Sequence, residues 1–177
     1  MIHLQLSVTK RGTIHLYKIG ILLLDRDFEH DVYELIKAFY PEGDIHSLYE
    51  KDEEEYDIFF TVKKENDNFV IKYETKDQKG VASAEVIRGA DGDSSQETHE
   101  KLRDAHELRK ANKDSLKYAL YNVLVKLTGR TLPWGNLTGI RPAKLAMGMI
   151  ESGMKNTEIA QEMRERYLVS AKKTALA

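Results

Sequence analysis

Apolar and polar residues alternate strictly at the head of the chain: Ile2, Leu4, Leu6 and Val8 have the period of two expected of a half-buried strand. A second apolar run follows over 14–24, interrupted by Gly20. Phe28, Val32, Leu35, Ile36 and Phe39 then recur at helical spacing and predict a helix with one buried face. Asp27 is placed to cap its start, and Pro41 to end it, because proline cannot donate to a helix. A short strand is expected at 45–49, and the charge run "KDEEEY" reads as a solvated loop. Alternation resumes at Ile58, Phe60 and Val62 and again at Phe69, Ile71 and Tyr73, with "KENDN" supplying turn residues for a hairpin. "GVASAEVIRG" offers another strand before "ADGDSS" breaks the pattern.

From there the period changes to that of helices. Ser94 and Glu97 fit a capping box, and no helix breaker intervenes before Lys126. Leu116, Ala119, Leu120, Val123, Leu124 and Leu127 form an apolar stripe, and Gly129 is placed as a C-cap. Leu145, Met149 and Ile150 predict a short helix ended by Gly153. Asn156 is placed to cap another, running to Tyr167, with Ile159, Met163 and Tyr167 on one face. Ser170 is placed to cap a last helix, "SAKKTALA", which reads as only beginning where the sequence given ends. The expected fold class is α+β. An accessory domain over 1–93 holds a mixed or antiparallel sheet with one packed helix, and a mainly helical segment follows over 94–177.

Composition adds constraints. The 177 residues suit one domain, or a domain with a helical extension, and 41% hydrophobic with 32% charged residues allows a true core under a solvated surface. The longest apolar run, Ile19 to Leu24, falls well short of the ~18 residues of a membrane span. The first residues lack a secretory pattern, so no membrane association and a cytoplasmic location are expected. The sequence has no cysteine, which rules out disulfides, thiolate-bound zinc, iron–sulfur ligation and a cysteine nucleophile within it. Charge is uneven: residues 100–177 carry 15 Lys and Arg against 8 Asp and Glu, a net of +7, and residues 1–99 carry 12 against 21, a net of −9. Opposite signs suit two units, or two ordinary solvated surfaces.

"LPWGNLTGIRPAKL", residues 132–145, holds two of the three prolines and the only tryptophan. Physically it is a loop-to-helix junction. Gly135 and Gly139 can take positive φ. Pro142 suits the first position of a helix and pushes Arg141 into an extended conformation just outside it. Free N–H groups of that helix, the Arg141 guanidinium, Thr138 and Lys144 together make a candidate anion site. The competing structural reading buries the Trp134 ring and clamps Arg141 to a carboxylate of the same chain; spacing alone favours it.

The string "PWGNLTGIRPAKL", with "MIESGM" and "EIAQEMRERYLVS" after it, resembles the segment before the catalytic domain of the oxygen-independent coproporphyrinogen III oxidase-like radical-SAM proteins, in the coproporphyrinogen dehydrogenase variant. The likeness is strong over 132–170 and rests mainly on element order over 1–131, where "ELIKAFYP" is similar to the family's first helix. It implies a downstream barrel with a C-x-x-x-C-x-x-C motif, binding a [4Fe–4S] cluster and S-adenosylmethionine, which this chain lacks. It implies an oxidoreductase parent of heme and porphyrin biosynthesis that oxidatively decarboxylates propionates of coproporphyrinogen III. This chain is then an N-terminal accessory region, truncated before the barrel, with no catalytic, cofactor or metal residue of its own. Trp134, Gly135, Thr138, Gly139, Arg141, Pro142 and Lys144 become candidate docking or anion-binding residues. Their partners are the barrel of the same protein or a propionate of the porphyrinogen, and the place of the motif just before the barrel favours docking.

Rival patterns are weaker. "EIA" and "VS" in the C-terminal segment faintly match a helix-turn-helix, but no turn glycine follows Ala160, which argues against nucleic acid. His99 and His106 can share a helix face without a third metal ligand; His3, His15, His30 and His46 read as surface residues. Met147, Met149, Met154 and Met163 read as core fillers, and the acidic run 52–57 nominates no acid–base pair. A stand-alone nucleic-acid- or protein-binding module is the alternative function.

Overall fold

The computed structural model describes residues 16–24, 26–88 and 98–175, with side chains from residue 104 onward in the last of these stretches. The expected strand at 2–8 and the capping box of Ser94 and Glu97 lie outside the described residues. Five strands form one mixed sheet in the order β2-β1-β3-β4-β5: β1 Lys18–Leu23, β2 Asp44–Leu48, β3 Ile58–Glu65, β4 Asn68–Thr75 and β5 Lys79–Glu85. The helices are α1 Glu29–Phe39, α2 Thr98–Thr128, α3 Pro142–Glu151, α4 Asn156–Glu165 and α5 Ala171–Thr174. The fold is α+β, as the change of period from two to helical spacing predicts.

β1 lies between two parallel neighbours, β2 and β3, while β3, β4 and β5 run antiparallel. This explains the sequence of each. The central strand "KIGILL" is apolar nearly throughout, as strands flanked on both sides tend to be. The hairpin strands β3 and β4 alternate because one face is covered and the other faces water. Register aligns the inward residues: Ile21 beside Phe60 and Leu23 beside Val62, then Phe60 beside Tyr73 and Val62 beside Ile71. The hairpin closes in two residues, Asn66 and Asp67, with Asn66 at φ 53°, a conformation asparagine tolerates better than most.

Two helices cover the inward face. α1 contributes Val32, Leu35, Ile36 and Phe39, and α2 contributes Leu116, Leu120, Tyr121, Val123 and Leu124, all in one apolar cluster with the strands. The Phe39 and Tyr121 rings meet edge to face at 5.4 Å. The core of the sheet therefore extends past residue 93 into the long helix.

Three helix ends are set by local chemistry, two of them not where the pattern placed them. Asp27 does not cap α1. A single 3-10 turn over Arg26–Phe28 moves the N-cap to Phe28, and Asp27 instead meets Arg109, which donates to its carbonyl oxygen at 2.6 Å. The N-cap of α4 is Lys155, not Asn156, because the Glu158 carboxylate reaches back to accept from the Lys155 backbone N–H at 2.8 Å. α2 ends as expected on Gly129 at φ +64°, whose N–H donates to the Val125 carbonyl at 2.8 Å.

Beyond α2 a second, smaller core forms. Leu137, Ala146, Ile159, Met163, Tyr167 and Val169 are buried together, with Trp134, Leu145, Met149 and Met154 packed around them. At the outer side of the sheet, α2 crosses the end of β5. The Asn112 amide accepts from the Ile87 N–H at 2.7 Å and donates to the Ile87 carbonyl at 2.8 Å, and the Ser115 hydroxyl donates to the Glu85 carbonyl at 2.8 Å.

Candidate functional site

The junction 132–145 is tied down from two sides. Toward α2, the Leu132 N–H donates to the Tyr121 hydroxyl at 3.0 Å, and the Lys117 ammonium donates to the Thr138 carbonyl at 3.2 Å. Toward the segment after α4, the Asn136 N–H donates to the Tyr167 carbonyl at 3.0 Å, and the Ser170 N–H donates to the Pro133 carbonyl at 3.1 Å. Two chain segments thus run side by side with almost no gap. Gly135 makes this possible: it sits at φ +58°, and a Cβ there would lie 1.9 Å from the Tyr167 carbonyl oxygen. The same contact ends α4 at Glu165, two residues short of the expected Tyr167. The backbone turns away to face the junction and passes through Leu168 at φ 57°.

Gly139 also has positive φ, +73°, but open space surrounds it. Arg141 is extended, at φ −85° and ψ 113°, and Pro142 opens α3, as the pre-proline rule predicts. The far end of α3 closes on Gly153, with the Met154 N–H bonded to the Met149 carbonyl at 3.1 Å and the Gly153 N–H to the Ile150 carbonyl at 2.9 Å. Trp134 is half-buried, and the Lys173 ammonium lies 5.2 Å from its ring centre.

The seven sequence-derived residues therefore divide into two groups. Trp134, Gly135 and Thr138 are inside the packed loop, and the Thr138 hydroxyl is buried without a hydrogen-bond partner among the described residues. Gly139, Arg141 and Lys144 are exposed, with the half-buried Pro142 between them at the start of α3. Among the described residues, neither Arg141 nor Lys144 forms an ion pair or side-chain hydrogen bond, so no carboxylate there clamps Arg141. Near these two cations in sequence, Ile140 just before α3 and Met147 and Ile150 on it face solvent, 47%, 53% and 49% exposed. Within α3 only Ala146 is fully buried.

Three residues that hold the candidate site together escaped the sequence reading. Asn136 is 3% exposed and holds the Tyr167 segment through its backbone. Asp114 accepts from Arg166 at 3.0 Å and from the Tyr167 hydroxyl at 3.3 Å, joining α2 to the end of α4. Burial first, and then Asp114, pushes the Tyr167 hydroxyl up to about 12. Lys117 is only 5% exposed, and burial holds its ammonium below the usual lysine range. Its signal was a lone cation inside the apolar stripe, beside Leu116 and one turn before Tyr121.

A [4Fe–4S] cluster does not fit this chain, which has no thiolate to offer. Among the described residues no group of three His, Asp or Glu is arranged to hold a metal ion, and no helix is long and apolar enough to cross a membrane.

No family model matches the chain, and no solved structure matches it. Among curated proteins, the oxygen-independent coproporphyrinogen-III oxidase-like protein HemZ of Bacillus subtilis (strain 168) is 39% identical over 64 residues, which is 36% of this chain and 13% of that protein. The resemblance read from the junction motif is borne out by this local match, which suits a fragment of such a protein.

Proposed function

We propose that this chain is the N-terminal accessory region of an oxygen-independent coproporphyrinogen-III oxidase-like radical-SAM protein, and that α3 is its docking surface for the catalytic barrel. The partial match to HemZ supports the origin. One observation carries the docking role: among the described residues Arg141 and Lys144 stand unpaired near the exposed Ile140, Met147 and Ile150, at and on a helix whose ends are firmly fixed. Apolar residues flanked by cations, held rigidly and left uncovered, are suited to a partner surface. In this reading the barrel supplies the cluster, S-adenosylmethionine and the propionate chemistry, and the accessory region sets the barrel's orientation or substrate access.

The first test is the reading frame beyond Ala177, where a C-x-x-x-C-x-x-C motif is expected. The second is amide hydrogen exchange over residues 140–150, compared between this chain and the longer protein. Docking predicts slower exchange in the longer protein; equal exchange would overturn it. The 177-residue chain itself is expected to show no iron–sulfur absorbance after reconstitution and no turnover of coproporphyrinogen.

A further inference from the structure

A cavity of about 370 Å³ opens between α1, α2 and the junction, on a side of the loop that uses neither Arg141 nor Lys144. Lys117 lies in it, nearly out of contact with bulk water. Among the described residues its ammonium has one hydrogen-bond partner, the Thr138 carbonyl, and no carboxylate within ion-pair distance. An ammonium has three N–H donors, so two remain for an occupant of the cavity. A buried cation with unfilled donors is costly, and a site that keeps one has a use for it or a partner to fill it.

The surroundings narrow the partner. Lys113 and Lys110 lie one and two turns before Lys117 on the same wall of the cavity. Lys113 reaches Asp31 only at 3.9 Å. Asp114, the other carboxylate of the lining, is already engaged by Arg166 and Tyr167. The junction and α3 add apolar lining, Leu137, Ile140 and Leu145, along with the polar Asn136. The volume exceeds that of a bare ion and lies within the range of small-molecule pockets. Two nearby carboxylates disfavour a dianion more than a monoanion.

We propose that this cavity binds a small organic carboxylate, with its charged end on Lys117 and its apolar body against Leu137, Ile140 and Leu145. The proposal is distinct from the docking role: it requires no barrel, and of the exposed apolar residues there it uses only Ile140, while Met147 and Ile150 take no part in the cavity.

The test titrates the 177-residue chain with 2-naphthoate, 2-naphthamide and inorganic phosphate, and follows backbone amide resonances. 2-Naphthoate is expected to shift Leu137, Ile140 and Lys117, with binding about tenfold tighter than the uncharged amide, the margin of one charge-assisted contact. Lys117→Met is expected to erase that margin. Lys110→Gln, at a partly exposed position that leaves the fold intact, is expected to narrow it by a few-fold. Equal binding of naphthoate and naphthamide, tighter binding of phosphate, or no shift at millimolar naphthoate overturns the proposal. If Lys117→Met fails to fold, an unchanged margin in Lys110→Gln overturns it.

Discussion

Gly135 lies directly beneath the backbone of Tyr167, so close that a single added carbon would enter the carbonyl oxygen of its neighbour. Gly135→Ala is therefore expected to force the junction and the 166–170 segment apart. Left-handed backbone alone costs about 1–2 kcal/mol for a non-glycine residue, and the collision adds to it. Gly139→Ala, with similar φ and open space around it, is expected to show only the first part. Thermal unfolding of the two variants checks this. Equal losses would mean that the close approach contributes nothing.

The long helix α2 shares the core of the sheet, and removing it should expose the inward face of β1, β3 and β4. A chain ending at residue 93 is expected to lose dispersed amide resonances and to bind a hydrophobic dye. Within the whole chain, Leu120→Ala is expected to cost about 2–5 kcal/mol, the range for deleting a buried leucine side chain. Denaturant unfolding followed by circular dichroism measures both effects.

Burial holds the folded-state pKa of Lys117 below that of an exposed lysine, near 10.4 in the unfolded chain. Between those two values the unfolded chain binds more protons, so stability contributed at this site rises with pH across that window and is lowest below it. Lys117→Met is expected to remove this slope. Tyr40 and Tyr167, both pushed up to about 12, act oppositely above pH 10, because the unfolded chain loses their protons first. The difference between wild type and variant, measured by urea unfolding from pH 7 to 9.5, isolates the lysine.

Met147→Ser and Ile150→Ser are expected to change the stability of this chain by no more than about 0.5 kcal/mol, because neither side chain is buried. In the longer protein the pair is expected to restore fast exchange over 140–150. Arg141→Ala should act in the same direction. Protection that survives all three changes would place the docking surface elsewhere.

Most of the sheet was legible because each hairpin strand alternates, and alternation records a sheet with one covered face. The parallel pairing of β1 was not, since a run such as Ile19–Leu23 reads alike in any strand buried between neighbours. Asp27 misled because capping is a matter of backbone angles one residue away, and a 3-10 turn intervened. At the junction, Pro142 and Arg141 obeyed a local rule and were readable. Lys117, Asn136 and Asp114 were not, because their importance comes from segments 20 to 50 positions distant.

The side-chain amide of Asn112 offers Ile87 one acceptor and one donor, the same pair of groups that another strand's peptide would present. With Ser115 filling the next position, the final stretch of the sheet's outer margin is already occupied. A second molecule seeking to extend the sheet there finds no free backbone to grip, so ordered stacking of copies through this margin is blocked at its C-terminal end. Replacing Asn112 with leucine should reveal this guard as faster fibre formation in concentrated solution, with the monomer's fold little changed.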